Sequence, residues 1–268
     1  MQQIDIEAVL RGKAPKIARW IPRWAVEWLR RTIHEEEMNR FLAQADGLAP
    51  QPFLKAFFRE LDIRYTVEGL EALDPAGRYL FVSNHPFGGM DGMMLADKLI
   101  DRFGDVRVVV NDLLMHVEPL APLWVPVNKH GNQNAAYARR FEEALQSDLP
   151  MLTFPAGLCS RRHGGVVADL PWKSSFIKQA RQSGRTIVPL FVEGTLSDRF
   201  YRLANFRTGL GLKFNIEMLF LVDEMFRQRG RTFRIRCGAP VSQDELDAAG
   251  NRRAQADAVR IKTYFLQK

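Results

Sequence analysis

Disulfides and clustered metal ligands are the first things this sequence lacks. Cys159 and Cys237 are its only cysteines among 268 residues, with no C-x-x-C spacing, so neither a disulfide framework nor a zinc site can be read from them. His34, His116, His130 and His163 show no ligand spacing such as H-E-x-x-H, and no metal is expected. No apolar run approaches the roughly 20 residues that a membrane-spanning helix requires. The run Met218–Val222 is closed off by Glu217 and Asp223. The acidic start, Met1 to Glu7, has no apolar stretch followed by a small-residue cleavage site, so the sequence predicts a protein that stays in a reducing cytoplasm. Missing Gly/Ser- and Pro-rich tracts and missing repeats argue against linkers, disorder and solenoids. Without G-x-S-x-G or G-x-x-x-x-G-K-[ST], an α/β-hydrolase and a P-loop enzyme are disfavoured.

What is present is a chain with 46% hydrophobic and 26% charged residues, long enough to bury a full core. Its 38 Lys and Arg against 31 Asp and Glu give a net charge of +7, a bias toward anionic partners that does not by itself separate nucleic acid from phospholipid. No pattern of aromatic and basic residues on adjacent strands suggests base stacking, and no nucleic-acid partner is expected. Between residues 16 and 31, Ile17, Trp20, Ile21, Trp24, Trp28 and Leu29 recur at helical spacing, with Arg19, Arg23 and Arg30 as a cationic stripe and Pro22 starting or kinking a helix. Two readings fit: an amphipathic segment at a lipid–water interface, or a helix packing its Trp face on the core. In Pro52–Leu61, the residues Phe53, Leu54, Phe57, Phe58 and Leu61 share one side, which predicts a core helix.

The pattern changes at Ile63. Residues 63–67 alternate like a half-exposed strand, and Tyr79–Ser83 forms a short apolar run typical of a buried strand. A helix is expected from Asp91, a strand over Val106–Val110, a helix over Asn134–Leu145 and a strand over Pro150–Phe154. A helix over Ser174–Ser183, a strand over Thr186–Val192, a helix over Asn215–Arg227 and an edge strand over Thr232–Cys237 follow. The last thirty residues read as a solvated helix without identifiable chemistry. This alternation predicts an α/β fold: a mixed, largely parallel sheet flanked by helices, with an N-terminal amphipathic helical segment. The division expected is residues 1–61 as a helical membrane-association segment and 62–268 as a catalytic domain.

In Asn84-His-Pro-Phe-Gly-Gly-Met-Asp91, a histidine and an aspartate lie six positions apart around Gly88 and Gly89. Glycines permit positive φ and close backbone approach, so Asp91 can return to His85 Nδ1 while capping the following helix. Nε2 would then be free to take a proton from a hydroxyl or amine, with the carboxylate stabilising the imidazolium. The plain alternative is a strand-ending turn and a helix cap.

Two further blocks leave apolar strands into glycine-containing loops: Phe154-Pro-Ala-Gly-Leu-Cys-Ser-Arg-Arg162 and Ile187-Val-Pro-Leu-Phe-Val-Glu-Gly194, with Trp172-Lys173 between them. Over residues 78 to 240 the set resembles the phospholipid/glycerol acyltransferase family, which contains the bacterial 1-acylglycerol-3-phosphate acyltransferases. The N-terminal helices resemble those of a bacterial subgroup that acylates lyso-lipids with amino-acid head groups. The resemblance implies direct attack of an acceptor on an acyl thioester, with His85 as general base and Asp91 as its orienter. It places Phe154, Pro155 and Gly157 in the loop that shapes the acceptor site, and Asn84, Gly88 and Gly89 beside the dyad. A backbone N–H near Gly157 or Gly88 would serve as oxyanion donor. No cofactor is tightly bound on this reading; acyl-CoA or acyl-ACP is the co-substrate. Expected partners are membrane lipids, met through the N-terminal helices, and acyl carrier protein, at the cytoplasmic face of the inner membrane.

Three departures from the family pattern bear on substrate. Pro86 to Met90 put five residues between His and Asp where the family usually has four. Ala156 and Cys159 replace the Glu and Arg of the usual Phe-Pro-Glu-Gly-Thr-Arg, and Asn128 stands where an upstream arginine is usual. Arginine holds phosphate by a bidentate fork, so the pattern predicts an acceptor without phosphate at the usual position, such as a lyso-amino-acid lipid, unless Lys129, Arg161 or Arg162 reaches in. A different class is also open: an inactive peripheral lipid-binding module on the same scaffold. Cys159 beside basic residues reads either as a nucleophile or as a small buried side chain.

Overall fold

A computed structural model describes residues 3–13, 19–111, 117–127, 135–212 and 215–267. Ile17, Asn128 and Lys129, named above, lie outside the described residues. The chain opens with helices α1 (Ile6–Lys13), α2 (Arg23–Thr32), α3 (Glu35–Gln44) and α4 (Pro50–Glu60). Pro22 is the N-cap of α2, so it starts a helix. Proline also suits the first turn of α4, where the missing N–H costs nothing. That helix buries Phe53, Leu54, Phe57 and Phe58 along one side, as its spacing predicts. By contrast α2 buries none of its residues, and Trp24 in it and Trp20 just before it are 74% and 77% exposed, so these two tryptophans do not pack on the core. Trp28 meets Phe220 edge-on at 5.8 Å.

The remaining elements, in order, are β1 (Arg64–Glu68), β2 (Tyr79–Ser83), α5 (Gly89–Phe103), β3 (Arg107–Asn111), β4 (Trp124–Val127), α6 (Ala135–Gln146) and β5 (Met151–Thr153). A hairpin follows, β6 (Arg161–His163) and β7 (Val166–Ala168), then α7 (Ser175–Ser183), β8 (Thr186–Val192) and α8 (Asp198–Gly209). After them come a 3-10 turn at Ile216–Phe220, α9 (Leu221–Phe226), β9 (Thr232–Cys237), α10 (Gln243–Ala248) and α11 (Arg252–Phe265). The single helix expected over Asn215–Arg227 is thus a 3-10 turn running into a short α-helix.

The main sheet has seven strands in the order β1-β9-β8-β2-β5-β3-β4. Every neighbouring pair is parallel except β8 with β9, which is antiparallel. This is the mixed, mostly parallel sheet expected. One correction applies: Thr232–Cys237 is not an edge strand, because β9 bonds to both β1 and β8. It alternates because Phe233 and Ile235 are buried while Thr232 and Arg234 face solvent, a pattern an interior strand shares when one face of the sheet is uncovered.

All five residues of β2 are buried, and they feed two cores. Tyr79 and Phe81 join one face, with the buried side chains of α3, α4 and α5. Leu80 and Val82 join the other, with Trp172, Phe176 and Ile177 near α7 and Ala256 and Val259 of α11. Successive side chains of a strand alternate faces, so a central strand buried on both faces is apolar along its run, here Tyr79 to Val82, with the buried Ser83 at its end. Phe41, Leu42 and the α4 phenylalanines share one continuous core with sheet residues beyond position 62. At the opposite end of the sheet from the site, Arg185 donates to the carbonyls of Ala144 and Leu149 at 3.0 and 2.7 Å, capping α6; burial lowers its pKa to about 10.

Candidate active site

Three adjacent parallel strands, β5, β2 and β8, end at the same edge of the sheet, and the loops that follow them converge there. Crevices beyond the carboxyl ends of strands are where open α/β sheets place their sites. The loop after β2 carries His85. Gly88, the N-cap of α5, has φ 74° and ψ −128°, a conformation that favours glycine, and an added Cβ would lie 3.1 Å from Leu221 Cδ1. The helix therefore starts at Gly89, and Asp91 is its third residue. Asp91 does not cap the helix, as the sequence suggested; its carboxylate instead reaches back to accept the Phe87 N–H at 2.9 Å.

His85 Nδ1 lies 3.0 Å from Asp91 Oδ2, with the histidine side chain 17% exposed and the aspartate fully buried. The separation is that of a hydrogen bond, but the ring N–H is not aligned on that oxygen, and Asp91 Oδ1 has no protein partner. Such pairs often tighten only when substrate is present. Burial pushes the Asp91 carboxyl above its ordinary range, opposed by the nearby His85 and the Phe87 N–H, and the charge of Asp169 adds to the rise. The imidazole stacks on the Phe154 ring, 4.1 Å between centroids at 29°. Phe154 thus fixes the ring plane from the loop after β5.

The other expected site residues divide into framework and wall. Asn84 is 3% exposed and binds the Val192 peptide at both ends of its amide: Nδ2 donates to the carbonyl at 2.9 Å and Oδ1 accepts the N–H at 2.7 Å. It extends the pairing of β2 with β8 past the last strand residue, so its amide is not available to a substrate. The Gly157 N–H donates to the Phe154 carbonyl at 2.9 Å, closing a turn with φ 69° at Gly157, and the Pro155 carbonyl accepts from Lys173 N–H at 3.1 Å. Gly157 N–H is therefore engaged within its own loop instead of facing an oxyanion.

Arg161 and Arg162, expected to approach a head group, are held elsewhere. Arg161 is 6% exposed; it pairs with the fully buried Glu217 at 2.9 Å and donates to the Cys159 carbonyl at 2.8 Å. Glu217 also pairs with Arg207 at 2.9 Å. Arg162 pairs with Asp198 at 2.6 Å and lies over the Tyr201 ring. Cys159 is buried, and its thiol is pushed up by burial against the opposing influence of Arg161, a small core side chain instead of an activated nucleophile.

Beside the dyad loop lies an apolar cavity of about 250 Å³, lined among others by Phe87, Gly89, Met90, Met93, Leu221 and Met225. The turn at Ile216–Phe220 and α9 form one wall of the site, Met218 touching Cys159 and Leu221 covering Gly88. Sequence reasoning missed this wall, together with Asp169, Ser160 and Tyr264. Asp169 accepts the His85 N–H at 3.1 Å and holds the loops after β2 and β5 together.

A family model described as acyltransferase matches residues 8–268. The chain belongs to the acyltransferase family. This acyltransferase is similar to the lyso-glycine lipid O-acyltransferase of Bacteroides thetaiotaomicron, with 44% identity covering 98% of this chain and 97% of the relative. It is similar also to the lyso-glycine lipid O-acyltransferase of Phocaeicola vulgatus, with 42% identity covering 98% and 95%. Among solved structures, the 1-acyl-sn-glycerophosphate (LPA) acyltransferase PlsC from Thermotoga maritima aligns over 98% of this chain and 95% of its own, at 18% identity and a TM-score of 0.48. No helix among the described residues of this acyltransferase is long and apolar enough to cross a membrane.

Proposed function

We propose that this acyltransferase moves a fatty acyl group from a thioester, on coenzyme A or acyl carrier protein, to the hydroxyl of a lyso-lipid with an amino-acid head group. The observation that carries the reading is the His85–Asp91 pair, placed beyond the ends of parallel strands and beside an apolar cavity walled by its own loop. In the reaction, His85 Nε2 takes the proton of the acceptor hydroxyl as that oxygen attacks the thioester carbonyl. The tetrahedral intermediate collapses with loss of thiolate, and the imidazolium returns the proton to sulfur. Asp91 stabilises the imidazolium between the two transfers. The apolar cavity holds the acyl chain, whose burial supplies binding energy of about 0.8 kcal/mol per methylene.

Near-full-length similarity to proteins named as lyso-glycine lipid O-acyltransferases supports this head group, as do the arginines. With Arg161 committed to Glu217, a phosphate drawing on that arginine would have to break a buried ion pair, while Arg162 is engaged in an exposed pair with Asp198. The exposed Trp20 and Trp24, beside Arg19 and Arg23, support a peripheral position on an anionic membrane face. Purified protein assayed for thiol release should turn over a lyso-glycine lipid in preference to lysophosphatidic acid, with acyl-CoA and acyl-ACP compared as donors. Preference for lysophosphatidic acid would overturn the head-group assignment. A His85→Ala variant that keeps its rate within about tenfold would overturn the base, since general-base catalysis contributes roughly 10²–10⁴.

A further inference from the structure

The acid–base pair accounts for the imidazole of His85 but not for what holds the residue itself. Both main-chain polar groups of His85 are bonded outside their own loop. Its N–H donates to Asp169 Oδ1 at 3.1 Å, and its carbonyl accepts the Ser160 N–H at 2.8 Å. Ser160 and Asp169 are joined in turn, because the Ser160 hydroxyl donates to the same Oδ1 at 2.6 Å. The second carboxylate oxygen, Oδ2, accepts the indole N–H of Trp172 at 2.9 Å. The backbone of Asp169 is fixed from the C-terminal helix: its N–H donates to Tyr264 Oη at 2.7 Å, and its carbonyl accepts from Arg260 at 2.9 Å.

Asp169 is 5% exposed, with three donors on its two oxygens and no cation within ion-pair distance of its carboxylate among the described residues. A buried carboxylate is costly unless hydrogen bonds compensate it. A structural tie between two loops could be made by a neutral side chain at less cost, so an anion that gathers three N–H and O–H donors around the peptide of one histidine calls for a reason in the site. Trp172, which carries the third donor, is itself fully buried in the core under α7, so it anchors Oδ2 to a rigid element. Through this chain of contacts, core and C-terminal helix fix the place at which the His85 backbone leaves β2.

We propose that Asp169 is a positioning residue for acyl transfer, holding the His85 peptide so that the imidazole lies between Asp91 and the acceptor hydroxyl. The inference rests on the general-base reading of His85. A displacement of about 1 Å at a reacting group can cost on the order of 10²-fold in rate without changing ground-state binding. Asp169 touches neither substrate, so its removal acts on kcat and leaves both KM values in place.

Asp169→Asn is the direct test. With its oxygen toward His85 and Ser160, the amide NH₂ of that variant meets the Trp172 indole N–H, donor against donor; turned over, it meets the His85 N–H instead. The variant should lose about tenfold or more in kcat, with donor and acceptor KM within about threefold of wild type. Trp172→Phe removes the opposed donor, so adding it to Asp169→Asn should recover most of the lost kcat. Failure to recover would mean that the charge of Asp169 matters and not its placing of His85, which overturns the positioning role. Ser160→Ala keeps the main-chain bond to His85 and provides the milder variant should Asp169→Asn not fold. It should lower kcat about three- to tenfold with unchanged KM. Wild-type kcat in Ser160→Ala, or kcat within threefold in a folded Asp169→Asn, overturns the proposal. His85→Ala is measured alongside: full activity there removes the general base and this role together, whereas its loss with Asp169→Asn unaffected removes only the positioning role.

Discussion

Replacing Asp91 by asparagine should raise stability and abolish activity together, because the carboxylate that serves His85 is buried at a cost to the fold. Desolvation is the main influence on it and raises its pKa; the approach of His85 and the Phe87 N–H only partly offset this. A carboxyl whose pKa is higher in the folded than in the unfolded chain binds its proton more tightly in the fold. Its contribution to stability is whole below the unfolded value, 3.8, and is lost as pH rises through the folded value. Above that folded value the wild type carries a buried anion that Asp91→Asn lacks, while the asparagine oxygen can still accept the Phe87 N–H. Neutral groups of similar volume in place of buried ionic ones are often neutral or stabilising by about 1–4 kcal/mol, and for a chain of this size each kcal/mol moves Tm by about 2–4 °C. Circular-dichroism melts at pH 7.5 should place the variant about 2–16 °C above wild type. The gap should narrow as pH falls through the folded value and vanish only below 3.8, where the wild-type carboxyl is neutral in both states. On the same samples kcat should drop by about 10²–10⁴, since Nδ1 loses the anion that fixes the tautomer and stabilises the imidazolium. A variant that melts below wild type at pH 7.5, or that keeps kcat within threefold, would refute the reasoning.

Asn84→Ala strips the Val192 N–H and carbonyl of their partners; at about 1–3 kcal/mol for each buried group left unpaired, Tm should fall by roughly 5–15 °C, and an unchanged melt would remove the framework role. Glu217→Gln leaves Arg161 and Arg207 sharing a neutral partner, at a cost of about 3–5 kcal/mol. Hydrogen exchange should quicken over residues 216–226 first, and uniform exchange with no loss of Tm would contradict the ion-pair clamp. Met93→Trp fills part of the apolar cavity and should move donor preference toward shorter acyl chains; an unchanged chain-length profile would place the acyl group elsewhere. Trp20→Ala with Trp24→Ala should weaken sedimentation with anionic vesicles by about tenfold or more, leaving the melt unchanged because neither side chain packs on the core. Equal binding by the double variant would remove the interfacial role of these two tryptophans.

The architecture was legible where local pattern and tertiary burial say the same thing. Thr186–Val192 reads as a buried strand because an interior parallel strand is apolar on both faces, and the observed strand has those bounds. The α4 phenylalanines read as core because their spacing fits one side of a helix. The hairpin of β6 and β7 was missed because its strands are only three residues long, with mixed burial around Gly164 and Gly165. In the site, the proximity of His85 and Asp91 was legible because both lie in one loop. Asn84 reads in the sequence as a substrate contact, yet its amide is bound at both ends by Val192, 108 positions away. Glu217 looked like the boundary of an apolar run, yet it is fully buried between two arginines distant in sequence. Asp169 and Tyr264 carried no signal at all, because a lone carboxylate or phenol outside any motif acquires meaning only from what the fold brings against it.

The five residues between His85 and Asp91 show what a spacing rule measures. If chain separation fixed the dyad, one extra residue relative to the usual pattern would carry the carboxylate away from Nδ1. In an α-helix the direction of a side chain is instead set by its place in the first turn, about 100° per residue from the helix start. Here the positive-φ conformation at Gly88 turns the chain sharply and begins the helix at Gly89, so Asp91 falls on the third helical position. From there a short carboxylate can reach back over the turn before it, as the Phe87 N–H bond and the 3.0 Å approach to His85 Nδ1 demonstrate together. The quantity that matters is thus the phase of Asp91 relative to the start of the helix, and the glycine that sets that start is as necessary to the pair as either of its members. An added Cβ at Gly88 would meet both a strained φ and the Leu221 side chain, and relief of either would rotate the first turn of α5, with Asp91 on it, away from the imidazole.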